Sequence, residues 1–304
     1  MSIIEQIESK MSDLSFDETP IIVISGPTGI GKSNLAISLA KKVNGVIINA
    51  DSMQIYKELK IISSQPSDRD KKIISHVLYS IRSISQNFSV MDWLELVEEK
   101  LDEIFKKNKI PIIVGGSGLY IKSAINGISK IPKVDKEVLD NCLKLFEKIG
   151  ILEFKKLVKK IDENFIIRNI DKQRLIRAYS VYLQTGKAIS EWHKSSEINK
   201  IYDTFFSILL EQEREKNYKN CENRFEEFID KGAVEEVRDL KEKNFDRSLP
   251  GFKCLGVNWI LKYIDKEISL NDAIVLSKRD TRRYLKRQLT WFRHNFNPDL
   301  ILRI

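Results

Sequence analysis

The sequence predicts an α/β protein with a doubly wound parallel sheet and a helical insertion. Three observations predict this class. The stretch "ISGPTGIGKS", residues 24–33, follows an apolar run and precedes a helical pattern. Two further apolar runs alternate with helical segments, as expected when helices connect parallel strands. From about residue 130 to 200 the strand patterns stop and apolar residues recur at helical spacing.

The first three strands are short apolar runs. "IIVIS" follows Pro20, and the helix after the glycine-rich loop carries Leu35 and Leu39 on one face. "GVIINAD" at 45–51 and "KIPIIVGGSG" at 109–118 are continuous apolar runs, which is typical of strands covered on both faces.

A long amphipathic helix is predicted between the second and third of these strands. Its apolar stripe includes Leu94 and Leu101, and Ser89 with Asp92 forms a plausible N-terminal cap. Sheets of this class bind ligands beyond the carboxyl ends of their strands. The loop at 26–33, Asp51 and the glycines at 115–118 should therefore meet at one edge.

We expect three segments along the chain. Residues 1–129 would form the first part of the core, 130–200 a helical insertion, and 201–304 the completion of the core with basic C-terminal helices. "TFFSILLE" at 204–211 and "LILRI" at 300–304 would return strands to the sheet. Because no Pro/Ser-rich linker or low-complexity segment is present, we expect the insertion to pack against the core.

The composition is that of a globular protein without a membrane segment. Of its 304 residues, 42% are hydrophobic and 31% are charged, and no apolar run approaches the roughly 18 residues that span a bilayer. The first residues lack a basic region followed by an apolar one, so we expect a cytoplasmic protein. Cys142, Cys221 and Cys254 form no CxxC pair and should be reduced. The net charge of +8 favours a polyanionic partner.

The glycine-rich loop carries the full pattern G-x-x-x-x-G-K-S between a strand and a helix, which makes the fold P-loop NTPase-like. Its backbone N–H groups and the positive helix end suit a phosphate, Lys32 adds a mobile charge, and Ser33 offers a hydroxyl to Mg²⁺. The phosphate-binding set is Gly26, Pro27, Thr28, Gly29, Ile30, Gly31, Lys32 and Ser33.

The acidic partner that a nucleotidase needs is missing from its usual strand. The run at 109–118 ends in glycines and a serine, and Asp51 is the only carboxylate that directly ends a clear strand. No N-K-x-D pattern is present, so a GTPase is not expected. Asp51 could be a metal ligand, a cap for a helix over "SMQIYKEL", or a base that accepts a proton from a substrate.

The C-terminal stretch 277–295 predicts an amphipathic helix with a basic face. It holds seven Lys and Arg residues against one Asp, while Leu285, Leu289 and Phe292 share the other face. Charged faces are often merely solvated, but solvated faces normally mix signs. Contacts with a phosphate backbone are therefore the better interpretation. Arg174, Arg177 and Arg224, each considered alone, would be surface residues.

Six motifs follow one another in a recognisable order: "GPTGIGKS", "DSMQIY", "GGSGLY", "QRLIRAYSVYLQTGK", "CLG" and "TRRYLKRQLTWFR". In this order they resemble the tRNA dimethylallyltransferases, bacterial enzymes that prenylate adenosine 37 beside the anticodon. The resemblance extends from about residue 20 to about residue 295. It implies a P-loop core, a helical lid over a channel, and a monomer.

The resemblance also implies a chemistry. The loop would hold the diphosphate of dimethylallyl diphosphate as a leaving group, with Mg²⁺ on Ser33. Asp51 would be the general base, and Lys32 and Arg224 would stabilise the diphosphate. With the basic helix, it places tRNA contacts at Asp51, Ser52, Met53, Gln54, Ser117, Gln173, Arg174, Leu175, Ile176, Arg177, Arg282, Arg283, Lys286 and Arg287.

The chain departs from the family pattern in the scaffold and on the RNA side, while the catalytic set is kept. Lys60, Ile62 and Gln65 stand where relatives have an acid, a glycine and a lysine, Ile170 replaces an asparagine, and Val257 replaces a tyrosine. Two other classes remain open on the residues alone. A small-molecule or nucleotide kinase would consume ATP, and a nucleotide-driven RNA-binding switch would not be a catalyst.

Overall fold

The computed structural model describes residues 2–166, 171–195 and 197–304. Ile170 lies outside the described residues. The chain divides into two compact units, the larger made of Met1–Ile125 with Ile201–Ile304 and the smaller of Asn126–Lys200. Within the described residues, no helix is long and apolar enough to cross a membrane.

The larger unit is built on a six-stranded parallel sheet with the order β3-β2-β4-β1-β7-β8. This confirms the predicted doubly wound sheet. A two-stranded antiparallel pair, β5 and β6, belongs to the smaller unit. The strands are β1 Ile21–Ser25, β2 Gly45–Asn49, β3 His76–Val77, β4 Ile110–Gly115, β5 Ile128–Ser129, β6 Ile198–Asn199, β7 Phe205–Glu211 and β8 Leu300–Arg303.

Helices form most of the remaining regular structure. They are α1 Ile3–Asp13, α2 Lys32–Val43, α3 Asp68–Ile73, α4 Val90–Lys106, α5 Gly118–Asn126, α6 Lys136–Ile161, α7 Lys172–Thr185, α8 Ile189–Ser195, α9 Arg214–Asp230, α10 Ala233–Glu242, α11 Val257–Ile264 and α12 Leu270–Asn295, with a 3₁₀ turn at Pro250–Lys253.

The sheet is covered on both faces, as its continuous apolar runs indicate. Every residue of β1 and β2 is buried. Ala36 and Leu39 of α2 pack with Ile22 and Ile24 of β1 in one cluster. Burying a side chain of this size stabilises the fold by about 1.5–3 kcal/mol. The buried sheet therefore supports the loops at its carboxyl edge.

Local sequence signals set several element ends. At the start of α4, Ser89 accepts the N–H of Asp92 in a capping box, as predicted. β4 ends at Gly115, earlier than the apolar run suggested, because α5 begins at Gly118. β7 ends in a carboxylate, Glu211, which the sequence reasoning did not consider and which pairs with Arg303 at 3.7 Å.

The smaller unit has its own helical core. Its buried residues include Cys142, Phe154 and Val181. α6 bends at Gly150, whose φ of 76° is left-handed, and α7 ends at Gly186 with a φ of 68°. Both glycines follow helical runs in the sequence, and they adopt a conformation that other residues enter at a cost.

Candidate active site

A cavity of about 550 Å³ lies in the larger unit at the carboxyl ends of β1, β2 and β4. The parallel register aligns these ends, pairing Ser25 with Gly115 and Asn49 with Val114. Because the loops that follow the strands all leave at the same edge, distant parts of the sequence share one cavity. Its lining includes Thr28, Gly29, Gly31, Lys32, Ser33, Asp51, Ser52, Met53, Gln54, Arg224 and Arg287.

The glycine-rich loop presents part of its predicted set to this cavity. Gly26 and Pro27 are buried, and their carbonyls accept the Lys32 ammonium at 2.9 and 2.8 Å. Gly31 has a φ of 93° and precedes the first turn of α2. A glycine is favoured there because its φ is left-handed. The first turn of α2 lines the cavity, and the N–H groups that a helix leaves unbonded at its start favour an anion there.

Ser33 and Lys32 supply the polar side chains of the first helical turn. Ser33 is exposed in the cavity, and its hydroxyl has no hydrogen-bond partner in the described part of the chain. A free hydroxyl beside a phosphate site fits a Mg²⁺ ion, which prefers oxygen ligands. Burial lowers the pKa of Lys32 to about 8, while the Asp51 carboxylate raises this pKa and the Arg224 guanidinium lowers it by smaller amounts.

Arg224 of α9 forms the second cationic group of the site. Its guanidinium donates to the hydroxyl of Thr28 and stacks on the ring of Phe228, 5.5 Å from the ring centroid. Its Nε is buried and, within the described residues, has no acceptor. A buried N–H without a partner costs about 1–3 kcal/mol. An anion bound in the cavity would relieve that cost.

Asp51 follows β2 directly and faces the cavity. One carboxylate oxygen accepts the N–H of Met53 at 2.9 Å, and Asn49 accepts the N–H of Asp51 at 2.8 Å. The other carboxylate oxygen has no protein donor among the residues described. The expected helix over "SMQIYKEL" is absent and this stretch forms turns, so the helix-cap interpretation of Asp51 is wrong. The carboxylate instead closes a local turn.

The loop after β4 lies against Asp51 because its glycines allow close approach. A Cβ on Gly115 would lie 2.0 Å from the carbonyl oxygen of Ala50. Ser117 accepts the N–H of Ser52 at 3.0 Å, so the "DSM" and "GGSG" stretches contact each other. The structure therefore brings Ser117 beside Ser52 and Asp51.

The basic residues of α12 fall into two groups. Arg282 pairs with Glu222 at 2.8 Å and Arg283 with Asp280 at 3.4 Å. Lys286 and Arg287 have no ion pair within the described residues, and Arg287 lines the cavity. The basic face is thus less positively charged than its sequence suggests, because acidic residues of α9 and α12 neutralise two of its arginines.

The α7 residues that were expected to contact tRNA belong to the smaller unit, and some are exposed while others are buried. Gln173, Arg174 and Arg177 are exposed. The side chains of Leu175 and Ile176 lie in the core of that unit, at 0% and 6% exposure. Direct side-chain contact with RNA is therefore excluded in this conformation for those two residues, and their role is to hold the helix.

The departures from the family pattern are built into the scaffold around the cavity. Ile62 lines the cavity and is 4% exposed, within a cluster that also contains Val257. Gln65 donates to the carbonyls of Tyr56 and Leu59 at 2.9 and 3.1 Å. Glu236 accepts the backbone N–H groups of residues 60–62 at 2.6–2.9 Å, which anchors this segment.

The sequence pattern indicated no role for several residues that line the cavity, or for Gln288, which bonds to its loops without lining it. Burial raises the pKa of Tyr79 and of Tyr284, so both remain neutral phenols. Cys221 donates its thiol to the carbonyl of Thr28 at 3.4 Å. Gln288 reaches both the glycine-rich loop and Gly116. Tyr284 and Gln288 lie in the motif "TRRYLKRQLTWFR", but only their place in the motif could have indicated them.

The fold and the cavity define a class of protein. A glycine-rich phosphate loop, two cationic side chains and a facing carboxylate on a parallel sheet are the parts of a group-transfer enzyme with a P-loop NTPase-like fold and a substrate that carries phosphate.

Comparison with known proteins identifies the family. Residues 54–295 match the family model of IPP transferases. The tRNA dimethylallyltransferase of Ehrlichia chaffeensis is 38% identical over 283 residues, covering 92% of each chain. The chain belongs to the tRNA dimethylallyltransferase family, as its motifs indicated.

Solved structures agree with this assignment. The tRNA isopentenylpyrophosphate transferase of Bacillus halodurans has a TM-score of 0.66 at 27% identity, covering 94% of this chain and 90% of its own. A eukaryotic dimethylallyltransferase, solved acting on tRNA, has a TM-score of 0.79 at 27% identity and covers 94% of this chain and 74% of its own. None of these relatives is a kinase, so the kinase alternative gains no support.

Proposed function

We propose that this protein transfers the dimethylallyl group of dimethylallyl diphosphate to N6 of adenosine 37 in the anticodon loop of tRNA and releases diphosphate. The observation that carries the proposal is one cavity in which the phosphate loop, Lys32 and Arg224 lie with Asp51. A donor needs an anion site, and an amine acceptor needs a base. The cavity offers both to a chain of this family.

The anion site would hold the donor's diphosphate. Breaking the allylic C–O bond builds negative charge on that leaving group, and charge that develops in a dry, preorganised site is strongly stabilised. The backbone N–H groups of the loop and the Lys32 ammonium would stabilise it. So would the Nε of Arg224, which has no acceptor among the residues that the structure describes. Ser33 and the diphosphate oxygens would hold Mg²⁺, which supplies further neutralising charge.

Asp51 would serve the acceptor. The exocyclic N6 amine of adenine is a weak nucleophile, and it must lose a proton as the new C–N bond forms and the C–O bond breaks. The carboxylate oxygen of Asp51 that has no donor in the described part of the chain would accept this proton. The other oxygen holds the Met53 N–H and so fixes the orientation of the carboxylate.

RNA contacts would surround this chemistry. Ser52, Met53, Gln54 and Ser117 lie beside Asp51 and would meet the extruded adenosine and its neighbours. Two exposed sets would contact the rest of the anticodon stem-loop. They are the α12 residues Arg282, Arg283, Lys286 and Arg287 and the α7 residues Gln173, Arg174 and Arg177. The smaller unit would act as the lid.

The test is to incubate the protein and Mg²⁺ with an anticodon stem-loop and each donor separately, then weigh the RNA. We expect a mass increase of one dimethylallyl group with dimethylallyl diphosphate and none with ATP. A stem-loop in which guanosine replaces the target adenosine is the matched control. ATP consumption without a change in RNA mass would contradict the proposal and favour a kinase.

A further inference from the structure

Gln288 of α12 is a buried amide that uses both of its polar atoms on the loops of the cavity. Its side chain is 6% exposed. The amide oxygen accepts the N–H of Thr28 at 2.9 Å, and the amide nitrogen donates to the carbonyl of Gly116 at 3.0 Å. One side chain therefore joins two segments that follow different strands.

The two segments belong to the two halves of the site. Thr28 is part of the glycine-rich loop after β1, where the diphosphate would bind. Gly116 precedes Ser117, which accepts the Ser52 N–H next to Asp51, where the acceptor would bind. The Gln288 side chain thus spans the two loops just beyond the point where β1 and β4 pair through Ser25 and Gly115.

Thr28 is held on all three of its polar groups. Besides the Gln288 bond to its N–H, its hydroxyl accepts from Arg224 and its carbonyl accepts the Cys221 thiol at 3.4 Å. Since the Thr28 N–H is turned toward Gln288, it is not offered to an anion. The bond to Gln288 therefore removes this amide from the set that could bind an anion. Hydrogen bonds to all three groups restrict the conformations open to this part of the loop.

The Gln288 amide lies so close to Gly116 that no side chain fits between them. A Cβ on Gly116 would lie 2.6 Å from the Gln288 amide nitrogen and 3.6 Å from the Lys32 ammonium. Any other residue at 116 would have to displace the Gln288 amide and would also crowd the carbonyl of Gly26 at 3.2 Å, whereas the distance to Lys32 is an ordinary contact. Glycine at this position therefore permits the bridge.

We propose that Gln288 is a positioning residue that holds the donor loop and the acceptor loop at the separation the transfer requires. The proposal rests on the proposed function and deepens it. Reacting groups must be aligned within tenths of an ångström, and a shift of about 1 Å costs roughly a hundredfold in rate. Removing the bridge should lower turnover far more than it lowers RNA binding.

The experiment compares Gln288→Met, which keeps the size of the side chain but neither hydrogen bond, with Gln288→Asn, which keeps the amide but is one methylene shorter. We expect kcat to fall about 10- to 100-fold in both variants. The tRNA Kd should stay within about threefold of wild type, because no phosphate contact is removed. Pyrophosphate affinity should weaken at least about threefold, because the loop amides are no longer held.

Ser207→Ala is the matched control. Ser207 is buried in β7, bonds to Asp299 at 2.7 Å and does not line the cavity. It should lower the Tm and leave kcat unchanged. A kcat within threefold of wild type in folded Gln288→Met or Gln288→Asn would overturn the proposal, as would an equal loss in Ser207→Ala. If wild type transfers no prenyl group, the proposed function fails. The positioning role is then tested by pyrophosphate affinity alone, and equal affinities in wild type and both variants overturn it.

Discussion

Asp51 closes a turn and is proposed to act as the base, and substitutions can separate these two roles. One carboxylate oxygen accepts the Met53 N–H. The other has no protein donor among the described residues and is the proposed proton acceptor. Asp51→Ala removes both roles, whereas Asp51→Asn keeps an oxygen for Met53. We expect both variants to lose about 10²–10⁴ in turnover, the usual contribution of a general base. Single-turnover kinetics with the anticodon stem-loop measures this.

The control for this prediction is pyrophosphate binding, which should change by less than about threefold because Asp51 is not part of the anion-binding set. If Asp51→Asn keeps turnover within threefold of wild type while Asp51→Ala loses it, the only role of Asp51 is to close the turn.

The pKa of Lys32 predicts that pyrophosphate affinity depends on pH. Burial lowers the pKa of Lys32 from 10.5 to about 8. An anion stabilises the charged form, so the pKa should rise again when pyrophosphate binds. Below pH 8 the free protein already carries this proton. Above it the proton must be taken up on binding, and affinity should fall by up to about tenfold per pH unit.

Calorimetry in two buffers of different ionisation enthalpy measures the proton uptake. Lys32→Arg is the control, because an arginine stays charged and leaves only the protonation of pyrophosphate itself. Identical proton uptake by wild type and Lys32→Arg at pH 9 would show that Lys32 is not the group that titrates.

At the scale of one element, α12 combines a buried face with a basic face. Leu285, Gln288 and Phe292 are buried, while Lys286 and Arg287 on the adjacent face have no ion pair in the described parts of the chain. Replacing Arg282, Arg283, Lys286 and Arg287 with alanine should flatten the slope of log tRNA affinity against log salt, by roughly 0.7–0.9 for each phosphate that is no longer neutralised. Lys286 and Arg287 should contribute most, because Arg282 and Arg283 have acidic partners.

Lys41→Ala with Lys42→Ala is the matched control for this salt titration. Both lysines lie in the last turn of α2, whose first turn is at the cavity. This variant removes positive charge from the far end of a helix, so its slope should equal that of wild type. Equal slopes for the α12 variant, with an unchanged circular dichroism spectrum, would show that the basic face is only solvated.

At the scale of the whole molecule, the division into two units predicts different responses to the two substrates. The residues that line the cavity, where the anion is proposed to bind, all belong to the larger unit. Pyrophosphate should therefore slow amide hydrogen exchange at β1, at the start of α2 and around Arg224, and leave α6 and α7 unchanged.

Adding the anticodon stem-loop should then slow exchange in α7, if Gln173, Arg174 and Arg177 contact RNA. Mass-spectrometric exchange of the free protein and of both complexes tests this. Slower hydrogen exchange in α7 with pyrophosphate alone would contradict the prediction that the two units respond to different substrates. If RNA does not slow exchange in α7, this helix is not part of the RNA interface.

Much of the fold was predictable because its signals are local. Continuous apolar runs gave β1, β2 and β4, the capping residues gave the start of α4, and glycines gave the ends of helical runs. The glycine-rich loop and Asp51 could be named for the same reason, since each follows its strand directly in the chain.

Tertiary structure decided what depends on partners distant in sequence. Gln288 bonds to Thr28, 260 residues away, and no local pattern reports such a pair. "SMQIYKEL" has a helical pattern but forms turns, because Asp51 and Gln54 bond to backbone groups around the cavity. Leu175 and Ile176 are buried because side-chain burial depends on what packs against a helix. The sequence by itself determined the elements and the chemical groups. The packing of α9 and α12 on each other and against the loops that follow β1 and β4 decided which groups meet, because hydrogen bonds and burial depend on distance in space.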